Sequence, residues 1–326
     1  MAGLDLLGEG RKIVTALLYM GAFMLAVALV VLRLDAVLGR GRRGRPWYVA
    51  VFLGPTLLLL SAGLAFPMLR TLYLSFFDAA GDSFVGVDNY AWIVTDDDTL
   101  LMLRNTLLWV VCVPLASTVV GLAYAVLVNN SRRERLATTL IFMPMAISFV
   151  GATIIWKFVY AYRDAGQDQI GLLNQVIVAV GGRPQRFLTD APGNTFYMIV
   201  TLVWIQAGFA TVVLSAAIKN VPVEIAEAAR LDGAGPRQMF WWVTMPSIRP
   251  TVVVVIVTIT IATLKVFDIV RTSTGGQFES SVLALEMYNQ AFRSYDSGRG
   301  SALAVLLFVL VVPIALLQLR RLRRNT

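Results

Sequence analysis

A chain of 326 residues in which 57% are hydrophobic and only 15% charged is poorly suited to a water-facing surface, since a soluble domain carries ~25% charge. It has no histidine and one cysteine, Cys112, which removes the commonest general base, the commonest metal ligand and any internal disulfide. The net charge of +8 is not arranged as a nucleic-acid face: sixteen of the 28 basic residues fall in four segments, 33–45, 132–135, 219–249 and 320–324, each beside an apolar run.

Apolar runs near the ~20 residues that a helix needs to cross a bilayer recur along the chain. They lack the period-two alternation of a membrane barrel. The expected fold is therefore all-α and integral to the membrane, with seven spans. The first, Ile13–Leu32, is too long for the apolar part of a secretory signal, and Arg40–Arg45 follows it in place of small residues. It reads as a retained anchor, although Arg11 and Lys12 at its head also suit a segment lying along the interface. Residues 1–47 thus form an anchor and a basic linker suited to anionic lipid headgroups, and 48–326 form the main transmembrane domain. Its spans are expected at Tyr48–Phe76, Leu101–Val128, Thr138–Tyr160, Thr195–Ile218, Thr251–Val270 and Ser301–Gln318.

The intervening segments alternate in character. Arg33–Pro46, Asn129–Ala137, the loop around Glu227 and the tail are basic. Asp78–Thr99 contains Asp96-Asp97-Asp98 and no Lys or Arg, Tyr162–Asn194 carries the turn Gly181-Gly182-Arg183-Pro184, and Arg271–Gly300 carries Gly275-Gly276 and Ser297-Gly298. The positive-inside bias then puts the amino terminus outside and the carboxyl terminus in the cytoplasm. Lys157, Arg104 and Arg70 sit near span ends, where long side chains snorkel to the interface. Asn105-Thr106 can join spans by hydrogen bonds. Lys265 and Asp268, one helical turn apart, have two readings: a pair that neutralises itself, or groups on a solute pathway.

The loop 219–250 is the most informative stretch. Asn220 can cap a helix with Pro222 in its first turn, Glu224 and Glu227 suit the helix start, and Ala226, Ala228 and Ala229 are good helix formers. Asp232-Gly233 should stop that helix, because glycine accepts the left-handed conformation of a sharp stop. Gly235-Pro236 should open a second short helix with Met239, Phe240, Trp241 and Val243 on its apolar face, before Pro246 and Pro250.

The spacing E-A-A-x-x-D-G-A-x-x-x-x-x-F-x-x-V-x-x-P, from Glu227 to Pro246, resembles the cytoplasmic coupling loop of binding-protein-dependent ABC importer permeases. That resemblance covers about Tyr48 to the end. It implies a six-span type I importer permease core, here with one extra amino-terminal span, which is a transport subunit and not an enzyme. It further implies that Glu227, Ala228, Asp232, Gly233 and Phe240 dock on a separate ATPase, which closes around ATP and magnesium and rocks the spans. None of the four lysines follows a glycine, so the chain lacks a G-x-x-x-x-G-K-[S/T] phosphate loop of its own and needs no bound cofactor. Partners implied are a second homologous permease subunit, two copies of a P-loop ATPase, an extracytoplasmic solute-binding protein and a prokaryotic plasma membrane.

Gly86-Val87-Asp88-Asn89-Tyr90, Thr274-Gly275-Gly276 and Leu283–Phe292 (LALEMYNQAF) resemble the carbohydrate-uptake branch and the larger half of a maltose-type pair. Met143–Tyr160 and LALEMYNQAF are similar to α-glucoside permeases, whereas Gln277 stands where the branch usually has proline. A sugar site needs aromatic faces and hydrogen-bonding groups. Trp204, Gln206, Phe209, Ala262 and Lys265 match solute-contacting positions of the maltose-type half, and Asp268 lies beside them. The implied solute is an oligosaccharide or α-glucoside of the maltose or trehalose class, with a glucosylated osmolyte as the alternative. An ion-coupled secondary transporter would need inverted repeats and several intramembrane carboxylates, and a membrane enzyme would need a catalytic cluster.

Overall fold

The computed structural model describes residues 45–129, 133–164 and 166–322, with isolated positions 15, 21, 29 and 33. The expected first span and most of the basic linker lie outside the described residues. The chain divides into two compact units, 1–70 and 71–326.

In the first unit, α1 (Arg45–Leu60) continues into a π turn, Ser61–Ala65, and then into α2 (Phe66–Leu74), which runs past the unit boundary. The wide turn has a local cause. Pro67 has no N–H for the Gly63 carbonyl and its ring collides with that carbonyl in a regular helix, so the turn before it opens. The segment Leu53–Leu74 is long and apolar enough to cross a membrane.

The second unit contains α3 (Asp88–Thr95), α4 (Asp97–Val128), α5 (Glu134–Phe142), a 3-10 turn (Met143–Ala146), α6 (Phe149–Val159), α7 (Leu172–Ala179), α8 (Gly193–Lys219) and α9 (Val223–Leu231). After a first turn at Pro236–Gln238 and a π turn at Met239–Thr244 come α10 (Met245–Leu264), α11 (Asp268–Ser273), α12 (Leu283–Phe292) and α13 (Ser297–Leu322). No strand occurs among the described residues, only one bridge between Phe77 and Phe84. Among the described residues, five helical segments are long and apolar enough to span, and the bent pair 134–146 and 149–159, taken as one span, makes a sixth.

Three spans differ from their expected form. The fourth turns by 104° at Ile147-Ser148, where Ser148 caps α6 by accepting from the Gly151 N–H. The sixth ends at Leu264 instead of Val270, because Val266 is buried and pulls the chain off the helical path before α11 begins. It also begins earlier than expected, since Pro236 to Leu264 is one helical run. The acidic stretch before the third span is partly helix. Asp96 caps α4, accepting from the Thr99 hydroxyl at 2.8 Å and the Thr99 N–H at 3.0 Å. These bonds hold its carboxyl below the ordinary carboxylate range, and Asp97 and Asp98 meet the positive end of the helix dipole.

The core forms where α4, α8 and α10 meet, with Trp109 and Val113, Met198 and Leu214, and Val255 and Ile259 buried together. A second cluster joins α12 and α13 through Leu283, Ala302 and Leu303. The crossing of α4 and α8 is close because Gly121 has no side chain. A Cβ there would stand 2.5 Å from the Ala210 Cβ and 2.8 Å from the Thr211 nitrogen. Gly121→Ala is therefore expected to destabilise the chain by about 1–3 kcal/mol through overpacking, visible as a lower unfolding temperature in detergent.

Candidate functional site

Two regions of the second unit collect the residues singled out by sequence. The first is the loop between α8 and α10. Asn220 does not open α9; it closes α8, its N–H donating to the Ala216 carbonyl at 3.1 Å. The reason is Pro222, which disfavours helical backbone at the residue before it and so places the break at 220–222. Glu224 and Arg230 then sit at the helix ends whose partial charges they complement. α9 stops in a Schellman turn. The Ala234 N–H donates to the Ala229 carbonyl and the Gly233 N–H to the Arg230 carbonyl, both at 3.0 Å, with Gly233 at φ +82°.

The chain restarts at Pro236, and the Gln238 side chain reaches back to accept from the Gly235 N–H at 2.9 Å. The expected separate second helix is instead the first part of the Pro236–Leu264 run. Pro246 explains the π turn before it, as Pro67 does in the first unit. Glu227, Ala228, Asp232 and Gly233 are exposed, and Phe240 is half-buried with its ring 5.0 Å from Trp241. Apolar side chains also face outward here: Val223 is 64%, Trp242 79% and Leu231 90% exposed. Lys219 at the end of α8 pairs with Glu134 at the start of α5, fixing the base of this loop to the preceding span.

The second region is the set read as solute-facing. Trp204, Gln206 and Phe209 lie on α8 and are half-buried. The Trp204 ring meets Trp156 of α6 edge to face at 5.8 Å, while Phe209 packs on the main core. Lys265 and Asp268 are not on one helix. Lys265 is the exposed cap of α10, and Asp268 is the first residue of α11. No ion pair joins them, and neither they nor Gln206 has a side-chain hydrogen bond among the described residues, which removes the self-neutralising reading of that pair.

At this end of the unit, opposite Gly233, the loop between α11 and α12 is held from below by two spans. Asn105 of α4 donates to the carbonyls of Glu279 and Ser281 at 2.7 and 3.0 Å, Asn194 of α8 donates to that of Phe278 at 2.7 Å, and the Leu283 N–H donates to the Thr106 hydroxyl at 3.0 Å. Asn105-Thr106 thus fastens a loop to a span instead of joining two spans. Phe278 and Glu279 both stand in the left-handed region, at φ +58° and +56°. Arg271 of α11 lies over the rings of Tyr288, at 4.3 Å, and Phe267, at 5.3 Å. Lys157 ties α6 to α11, donating to the Thr272 carbonyl at 3.2 Å. Neither Asn194 nor Arg271 was singled out by sequence. The only available signal was a polar residue at the edge of an apolar run.

Comparison with known proteins identifies the family. Residues 117–324 match the family described as "Binding-protein-dependent transport system inner membrane component". The chain is 48% identical to the Osmoprotective compounds uptake permease protein GgtC of Synechocystis sp., over 83% of this chain and 97% of that protein. It is 47% identical to the Alpha-glucoside transport system permease protein AglF of Rhizobium meliloti, over 86% and 83% respectively. Its fold resembles a chain of a bacterial ABC transporter involved in alginate import, with a TM-score of 0.74 at 22% identity, covering 86% of this chain and 97% of that one. Six apolar helical segments among the described residues, an exposed glycine-closed turn between two of them and a family match that includes that turn lead to one conclusion: this chain belongs to the inner-membrane permease components of binding-protein-dependent ABC transport systems, and is a transport subunit, not an enzyme.

Proposed function

We propose that the chain is one half of the membrane path of an ATP-driven importer for a glucosyl solute, an α-glucoside or a glucosylated osmolyte. The observation that carries the reading is the exposed Schellman turn at Asp232-Gly233. It presents a short helix with uncovered apolar side chains, Val223 and Leu231, to a partner outside the bilayer. In this reading Glu227, Ala228, Asp232, Gly233 and Phe240 seat a separate ATPase on the cytoplasmic side, with the amino terminus outside and the carboxyl terminus inside. Trp204, Gln206, Phe209, Lys265 and Asp268 line the solute path. The names of the two close relatives support a glucosyl or osmoprotective solute. The complete importer pairs this chain with an unlike permease, two ATPase copies and an extracytoplasmic binding protein.

The test is a gentle-detergent pull-down of the tagged chain from its native membrane, with co-purifying proteins identified by mass spectrometry. Recovery of a second permease, a P-loop ATPase and a solute-binding protein is the expected result. Recovery of this chain alone, still moving solute without ATP, would overturn it. Within the reconstituted importer, Trp204→Ala is expected to raise the half-saturating solute concentration about tenfold, the loss of one aromatic face worth about 1.4 kcal/mol. Trp204→Phe should retain most of the affinity, and an Ala variant that imports normally removes Trp204 from the path.

A further inference from the structure

Where the chain leaves α6 and enters α8, at the end of the unit away from Gly233, lies a cavity of about 610 Å³ lined by none of the residues read as coupling or solute-facing. Its size falls within the range of small-molecule pockets, ~300–1,000 Å³. We propose that it is a second carbohydrate site, a waiting position for a neutral glycoside at the mouth of the path. The inference rests on the sugar reading above.

The lining combines two kinds of group that a pyranose needs. Tyr197 supplies an aromatic face for the C–H face of a sugar ring, and the hydroxyl of Tyr162, the amide of Gln185, the guanidinium of Arg186 and the carboxylate of Asp190 supply donors and acceptors for its hydroxyls. One cation and one anion on the same wall make the site balanced. An anionic ligand would face Asp190 and a cationic one Arg186, so a neutral polyhydroxyl ligand is the class that can use both.

The wall is also built in advance. Asn174 of α7 is fully buried, and it exchanges hydrogen bonds with the Gln185 backbone: the Gln185 N–H donates to its Oδ1 at 2.8 Å and its Nδ2 donates to the Gln185 carbonyl at 3.0 Å. The same Nδ2 donates to the Ala161 carbonyl at 2.9 Å, so one buried amide fixes both strands of chain that frame the cavity. Arg186 is held over the Tyr162 ring at 5.0 Å and lies 3.6 Å from Asp164, which limits the conformations its guanidinium would lose on binding. Tyr197 is held by Phe187, also on the lining, whose buried ring meets it edge to face at 4.8 Å. These contacts converge on the exposed polar groups of Gln185, Arg186 and Asp190.

The experiment uses the purified importer complex carrying Cys112→Ala and a reporter, Ala191→Cys, on the cavity lining. The rate of maleimide labelling is measured with and without maltose or trehalose, and uptake of the same sugars is measured in parallel with the native chain. A bound sugar slows labelling by the factor 1 + [L]/Kd, about threefold at twice Kd. The expected result is this slowing, lost on adding Arg186→Ala or Asp190→Ala. Unchanged labelling by a complex that takes up either sugar overturns the site and leaves the import reading standing. Unchanged labelling with no uptake of either sugar overturns the site as a maltose or trehalose site and removes the α-glucoside half of the import reading. Slowing that survives both Arg186→Ala and Asp190→Ala places the sugar elsewhere and also overturns the site.

Discussion

Gly233→Val should leave the chain inserted and assembled but strip the importer of most of its solute-dependent transport. Gly233 closes α9 at φ +82°, a conformation that costs a residue with a side chain roughly 1–2 kcal/mol and a β-branched one the most. No neighbouring atom lies within 4 Å of a Cβ at that position, so the penalty is conformational and not a collision. The substitution therefore acts on the turn itself. It weakens the two bonds to the Ala229 and Arg230 carbonyls and frees the end of α9. A loss of ~1–2 kcal/mol lowers the population of the closed turn about 5- to 30-fold, and transport should fall by a similar factor. Gly233→Asn, which tolerates the left-handed region, should recover much of it. Normal ATP-dependent uptake by the Val variant in proteoliposomes would show that this turn does not couple the two proteins.

Asn105→Ala is expected to have the largest effect on stability. Asn105 is buried and supplies hydrogen to two loop carbonyls, of Glu279 and Ser281. Alanine removes both bonds and leaves two carbonyls without a donor, each worth about 1–3 kcal/mol when buried. It also releases a backbone pair, Phe278 and Glu279, that holds an unfavourable conformation only while its surroundings enforce it. The loss of ~2–4 kcal/mol should lower the unfolding temperature by several degrees. Hydrogen exchange should rise first in 276–283, ahead of the α4 helix. An unfolding temperature within one degree of the parent would mean that the Asn194 and Thr106 bonds alone retain the loop.

What could be read from the chain depended on whether the cause was local. The helix stop at Asp232-Gly233 was legible because alanines, glycine and the following Gly235-Pro236 act within a few residues of one another. The all-α membrane class was legible from the apolar runs and the confinement of charge between them. The end of α10 was not. Thr263-Leu264-Lys265-Val266-Phe267 carries neither glycine nor proline, and the break there comes from burying Val266 and Ile269 in the core, a tertiary effect. For the same reason Lys265 and Asp268 read as helical neighbours and are not. The bend at Ile147-Ser148 had a signal in Pro144 and Ser148, but the apolar run through Phe149–Val159 masked it. The opposite-end cavity was invisible because Asn174 sets the position of Gln185 from eleven residues away.

The outward-facing Leu231, Val223 and Trp242 also bear on the life of the chain before assembly. Apolar side chains that lie outside the bilayer without a partner, as Val223 and Leu231 on α9 do in the proposed reading, are aggregation seeds and marks for chaperones and proteases. A copy made in excess of its partner keeps that mark uncovered, whereas an assembled copy hides it. If this loop seats a partner as proposed, it would also act as a gauge of stoichiometry, so that the supply of that partner, and not the rate of synthesis of this chain, sets how much of it survives in the membrane.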